Sequence, residues 1–170
     1  MAREQVQAAS KEDVLKSVGR ASTRLRKRLG ESLNTIQKFD TPLEQATTPS
    51  LEALKAYSLG KKTQSRKGNV AAIPYFKRAI ELDPNFAVAY TGLGISYSNL
   101  GESGLANENF QRAYELRNRV SEREKFRIAA FYHSYVTGDL VKGNEIYELW
   151  AQAYPRDGAP TGNLAVTYFY

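Results

Sequence analysis

Apolar residues in the first third of the chain recur at steps of three and four, the spacing that puts them on one side of a helix. Val14, Val18, Ala21, Leu25 and Leu29 form such a stripe, preceded by Ser10 and Asp13 in capping-box spacing and closed by Gly30. The stripe predicts an amphipathic helix packed by its apolar face. Leu33, Ile36 and Phe39 predict a short further turn, and Thr41-Pro42-Leu43-Glu44 the start of another. Beyond residue 48 the punctuation predicts helices in pairs. Thr48-Pro49 opens the first helix, with Pro in its first turn, and "KKTQSRKGN" (61–69) ends it. Asn69 caps the second helix, which runs to Leu82 with Pro74 near its first turn. Asp83-Pro84 starts the third helix, Gly101 ends it, and Ser103 or a neighbour starts the fourth. Ser121 with Glu124 is a second capping-box pattern, opening a helix that ends at Gly138. Asp139 begins its partner, which stops before Pro155, and "APTGNLAVTYFY" begins one more.

These pairs repeat. A shift of 34 residues superposes Ala53 on Ala87, Gly60 on Gly94, Ala72 on Ala106, Phe76 on Phe110, Ala79 on Ala113 and Leu82 on Leu116. A further shift of 37 carries Gly101 to Gly138, Ala106 to Gly143 and Phe110 to Tyr147, so the third copy is three residues longer. There Phe131 stands at the glycine position and Trp150 at a small-residue position. A fourth copy begins before residue 170. A single helical pair cannot bury its apolar faces, so the period predicts stacked pairs in which small residues mark close backbone approach and Phe76, Phe110 and Tyr147 fill the gaps. Two mid-helix glycines test this logic, because each costs about 1 kcal/mol relative to alanine. Gly94 repeats Gly60 and is expected at a close helix contact; Gly92 repeats Ser58 and matches no position of the pattern.

The Leu-Gly pair in the first helix, Ala and Phe four apart in the second, and a further Ala three on resemble the tetratricopeptide repeat, over residues 53–170. The resemblance implies an all-α, right-handed solenoid of antiparallel helix pairs. It also implies a concave groove, lined by the first helices, that binds a peptide or domain of a protein partner. Carried over position by position, the groove residues are Leu54, Tyr57, Lys61 and Gln64, then Val88, Thr91, Ile95, Ser98 and Asn99. They continue with Lys125, Ile128, Tyr132, Tyr135 and Val136, and end with Val166, Phe169 and Tyr170. In the carboxylate-clamp subset of the family, Lys and Asn stand where this chain has Tyr57 and Lys61, so chaperone-tail binding is not implied.

Composition narrows the chemistry. With 42% hydrophobic and 25% charged residues the 170-residue chain has the makeup of a folded domain. It has no cysteine and one histidine, His133, which removes thiol nucleophiles, Cys/His zinc sites and two-histidine metal motifs. No Gly-rich phosphate loop is present, and His133 sits in "AAFYHSYV" without a nucleophile or acid at partner spacing. The expectation is a chain with no catalytic residues, cofactor or metal. No signal-peptide core and no membrane span of about 18–20 apolar residues appears, which predicts a soluble chain.

The net charge of +6 divides into +3 over residues 1–50 (9 basic, 6 acidic), +4 over 51–86 (7 and 3) and −1 over 87–170 (8 and 9). Its densest part is the cluster Arg20, Arg24, Arg26, Lys27 and Arg28. That basic patch suits phosphates of nucleic acid or an anionic leaflet, but without interleaved aromatics it reads as a solvated helix face. Residues 29–62 also resemble the stretch leading into the repeats of bacterial serine/threonine protein kinases and winged-helix regulators, which implies a regulatory or sensor region of a larger protein. The apolar ending "NLAVTYFY" lacks a polar capping helix, and predicts either a longer natural chain or a homodimer through the half repeat. Two segments are expected: 1–50, a helix with its connection, and 51–170, three helical pairs plus a truncated fourth.

Overall fold

The computed structural model describes residues 3–10, 13–30 and 48–168, and these are helical throughout their regular structure. Helix α1 spans Val14–Arg28, and the pairs follow as α2 (Leu51–Lys67) with α3 (Asn69–Leu82) and α4 (Ala87–Ser98) with α5 (Ser103–Glu115). After a 3₁₀ turn at Arg117–Arg119 comes α6 (Glu122–Phe131), continued by a π-helical turn at Tyr132–Thr137. It pairs with α7 (Leu140–Ala153), on which α8 (Gly158–Tyr168) packs. The expected turns at residues 33–44 lie outside the described residues.

Several boundaries differ from expectation by a residue or two, for local reasons. Ser50 caps α2, its hydroxyl accepting from Ala53 N at 3.1 Å, so Pro49 precedes the helix. Gly68 at φ +84° takes the sharp corner into α3, a left-handed conformation that L side chains rarely adopt. Asn69 is therefore the first helical residue and not the cap. Pro74 lies inside α3. Asp83 shapes the next turn, accepting from Asn85 N at 3.0 Å and from the buried Thr48 hydroxyl, which ties the entry of α2 to the exit of α3.

The interior is built from rings set against glycines. Phe76 of α3 is fully buried, and an added Cβ would stand 2.8 Å from its ring at Gly60 and 2.9 Å at Gly92. One ring is thus held between its own first helix and that of the next pair. Gly92 is explained by this second contact: the matching Ser58 belongs to the first pair, where no described second helix precedes it. Phe110 repeats the motif against Gly94, with an added Cβ at 2.7 Å. Burying each such ring contributes about 1.5–3 kcal/mol, more than a glycine costs the helix.

The third pair breaks the pattern. Phe131, standing where glycine is expected, stacks on Phe110 at 5.2 Å and 8° instead of receiving Tyr147. Tyr147 packs beside Trp150 and Ala130, and Gly143 approaches the Ser134 side chain within the π-helical turn. The added residues can be located. Phe86 and Val120 are both buried and 34 apart, whereas buried Thr91 and Ile128 are 37 apart. The insertion therefore enters between Val120 and Ile128, around the start of α6, where Arg123 and Glu124 stand.

Arg123 uses that position to clasp the end of the solenoid. Its Nε donates to Asp157 Oδ2 at 2.6 Å, Trp150 Nε1 donates to the same oxygen at 3.1 Å, and Ala159 N donates to Oδ1 at 3.1 Å. One carboxylate, 11% exposed, joins α6, α7 and the first turn of α8. The hydrogen-bonded Arg123 guanidinium holds the Asp157 carboxyl below its usual range.

Helix α1 departs from its expected face. Leu15 and Ser17 are its buried residues, and of the stripe Val14, Ala21 and Leu25 are half-buried while Val18 is 47% and Leu29 69% exposed, so the stripe is packed only in part. The chain before α1 lies against it, with the Ser17 hydroxyl donating to Gln7 O at 3.2 Å and Arg28 donating to Arg3 O at 2.9 Å.

Gly92→Ala is expected to destabilise by about 1–3 kcal/mol, overpacking outweighing the gain in helix propensity. Gly104→Ala, whose methyl meets nothing within 4 Å, is expected to gain up to about 1 kcal/mol; urea unfolding of both variants checks the opposite signs. For Asp157, a depressed folded-state pKa means stability that is present above the ordinary carboxylate range and lost as pH falls below about 4. Thermal unfolding curves of wild type and Asp157→Asn should be well separated at neutral pH and converge towards about pH 2, where both side chains are neutral.

Candidate peptide-binding groove

Helices α2, α4 and α6 are the first helices of successive pairs. A side chain of α2 can reach one of α6 only over the inner face of the curve, past α4. Tyr57 of α2 does so. Its ring packs on Phe86 at 5.3 Å and Phe76 at 5.8 Å, and its hydroxyl feels the charge of the Arg127 guanidinium. Burial pushes the Tyr57 hydroxyl above its ordinary pKa, with Arg127 pulling the other way and Glu124 adding to the rise. Lys61, one turn on, is held below its ordinary pKa by burial and by the Arg127 charge, with Glu124 in partial opposition. Arg127 Nη2 pairs with Glu124 Oε2 at 2.7 Å, the two side chains 24% and 19% exposed. Two cations and one carboxylate from the first and third pairs therefore meet at one point on the inner face.

A neutral polar strip continues towards the ends of α2 and α4. Lys61 Nζ donates to Gln64 Oε1 at 2.8 Å, and Gln64 Nε2 donates to Ser96 Oγ at 3.2 Å and Asn69 Oδ1 at 3.0 Å. Asn99 Nδ2 reaches the same Asn69 oxygen at 3.4 Å. The structure thus brings together Tyr57, Lys61, Gln64 and Asn99 of the expected set.

Others fall elsewhere. Thr91 and Ile128 are each 1% exposed and Val88 is 5%, which makes them core residues and corrects their expected place on the groove surface. The Thr91 hydroxyl satisfies itself on Ala87 O at 3.1 Å, so a polar residue is tolerated there. Ile95 packs against the Phe110 and Phe131 cluster. The π-helical turn carries Tyr132 and Tyr135 onto α5: Tyr132 stacks on Tyr114 at 3.8 Å and 9°, and Tyr135 lies 5.2 Å from Phe110. Their rings are occupied by the preceding pair rather than aligned with Tyr57. Lys125 pairs with Glu122. Phe169 lies outside the described residues. Among the basic residues, Arg20 and Arg24 border a concavity with Gln5, Val6 and Gln7, Arg28 pairs with Glu4 at 3.1 Å, and Lys27 is exposed. His133 sits edge-on to Tyr114 and Tyr132, at 6.1 and 5.3 Å.

Sequence reasoning missed Glu124 and Arg127 as members of this charged cluster. Glu124 was legible only as the third residue of a capping box. In the structure Ser121 Oγ accepts from Glu124 N at 3.4 Å, and the Glu124 carboxylate is turned to Arg127. Spacing alone held one signal, an acid and a base three apart on a first helix. Among the described residues no cluster of His, Cys, Asp or Glu could hold a metal, and no helix is long and apolar enough to cross a membrane.

Removing the positive charge with Arg127→Met should raise the Tyr57 pKa further, since Arg127 opposes the effect of burial. An NMR titration of ring-labelled tyrosine, with Tyr57→Phe to assign the signal, measures the shift.

Known proteins share this architecture. The tetratricopeptide repeat model matches residues 75–106, which run from α3 into α5. No curated protein sequence matches the chain. Among solved structures, the first TPR of Spaghetti (RPAP3) bound to the HSP90 peptide SRMEEVD superposes with a TM-score of 0.51 at 19% identity, over 70% of this chain and 92% of that one. The N-terminal domain of stress-induced protein-1 (STI-1) from C. elegans gives 0.46 at 17%, over 68% and 94%. MamA gives 0.47 at 19%, over 96% and 85%. The chain is an all-α solenoid of the tetratricopeptide type, with a tetratricopeptide repeat matched at residues 75–106.

Proposed function

We propose that the inner face of α2, α4 and α6 binds a peptide segment of a protein partner, with an acidic group of that segment seated near Lys61 and Arg127. The observation that carries this is the approach of two cations, exposed Lys61 and part-buried Arg127, with the Glu124 carboxylate paired to the second. Like charges held together in a partly desolvated place repel, and a ligand anion relieves that repulsion while linking the first and third pairs. Tyr57 supplies a rigid amphipathic surface beside them, and Gln64 and Asn99 supply neutral hydrogen-bonding groups for a peptide backbone. The Spaghetti TPR, bound to an HSP90 peptide of acidic character, offers a precedent for the fold in this role.

In a larger chain the same groove would serve as the regulatory or sensor arm of a kinase or regulator. Residues 29–62 support that reading through their resemblance alone. Self-association through α8 is compatible with either setting and is read by light scattering.

A peptide array screened with wild type and with Lys61→Ala tests the groove. Lys61 is exposed, so the variant keeps the fold. Loss of about tenfold in binding to the peptides that wild type selects is expected, the scale of one charged contact. Equal binding by both proteins would remove the groove from consideration.

A further inference from the structure

The Glu124–Arg127 pair is poorly satisfied for its position. The two charges approach to 2.7 Å, yet Glu124 Oε2 and Arg127 Nε are both buried without a hydrogen-bond partner. A half-buried ion pair that leaves buried polar atoms unpaired recovers only part of its desolvation cost. Glu124 also acts electrostatically on Tyr57 and Lys61, so its charge is shared among the groups that form the proposed ligand seat. Its place in the chain is unusual. It lies in the first turn of α6, within the stretch between Val120 and Ile128 where the third pair gains its added residues. A resident carboxylate thus sits where a ligand's anion is expected.

We infer that Glu124 is a resident competitor: it occupies Arg127 in the free protein and must be displaced when an anionic group of the peptide engages Lys61 and Arg127. This rests on the proposed groove and adds a threshold to it. Weakly acidic or neutral segments do not displace Glu124, whereas segments of denser negative charge do, so the pair sets specificity by exclusion. The cost of opening is small because the pair is imperfect.

The test uses the full chain and two probes, the acidic peptide SRMEEVD and a neutral counterpart, SQMQQVN acetylated and amidated at its ends. Glu124→Gln keeps the side-chain volume and removes the competing charge. Calorimetry is expected to show about tenfold tighter binding of the acidic probe to Glu124→Gln than to wild type, with the neutral probe unchanged. Adding Lys61→Gln to Glu124→Gln should abolish that gain. Circular dichroism of each variant establishes that the helices are retained. An unchanged or weaker affinity of Glu124→Gln for the acidic probe, in a folded protein, overturns the inference. If wild type still selects peptides on the array through Lys61, the groove itself stands. If neither protein binds the acidic probe or any array peptide, both fall together.

Discussion

A single phenylalanine held between two glycines is the contact on which the stack depends. Phe76 is fully buried against Gly60 of its own pair and Gly92 of the next, so the ring fixes the spacing within a pair and between pairs at once. Side chains at either glycine would push α2 or α4 outward. Because the curvature of a solenoid is the sum of such local spacings, the inner face owes its geometry to this wedge. Mid-helix glycines, unfavourable to an isolated helix, are favourable here because the neighbours supply the stability.

In the third pair the wedge is altered, and the packing changes with it. With Phe131 in the glycine position, the ring of Tyr147 has no notch to enter, and Phe131 turns to stack on Phe110. The π-helical turn at Tyr132–Thr137 and the Gly143–Ser134 approach accommodate the new spacing. At the start of α6 in the same pair, Arg123 is clasped to Asp157 and Glu124 is set against Arg127.

The helical pairs, their order and their small-residue positions were legible in the sequence because each is fixed by local punctuation and repeated packing. Gly92 was not, since its reason lies in a ring on the preceding pair and not in its own helix. The groove was only half legible. Tyr57 and Lys61 follow from their place on a first helix, but Thr91 and Ile128 are turned into the core. Tyr132 and Tyr135 depend on a π-helical turn that shifts their phase, and periodicity of 3.6 cannot register such a shift. Glu124 and Arg127 were hidden differently. Their spacing fits a capping box and a surface ion pair, and only the curvature that carries α6 back towards α2 gives them another role. The apolar stripe of α1 had the right period, yet the residues it buries are Leu15 and Ser17.

The charge at the centre of the groove is best understood through the effect a hydrophobic alternative would have there. Replacing Glu124 and Arg127 with apolar residues would satisfy the packing without desolvating ions, and buried pairs of this kind often add no stability. Retaining two cations, one carboxylate and unpaired polar atoms in a partly buried place therefore points away from fold stability as their purpose. Arg127 acts electrostatically on Tyr57 and Lys61 of the first pair, so the cluster depends on the relative placement of the first and third pairs. Any ligand that engages Arg127 from the inner face acts on the same contact that closes the curve, which couples occupancy of the groove to the shape of the solenoid.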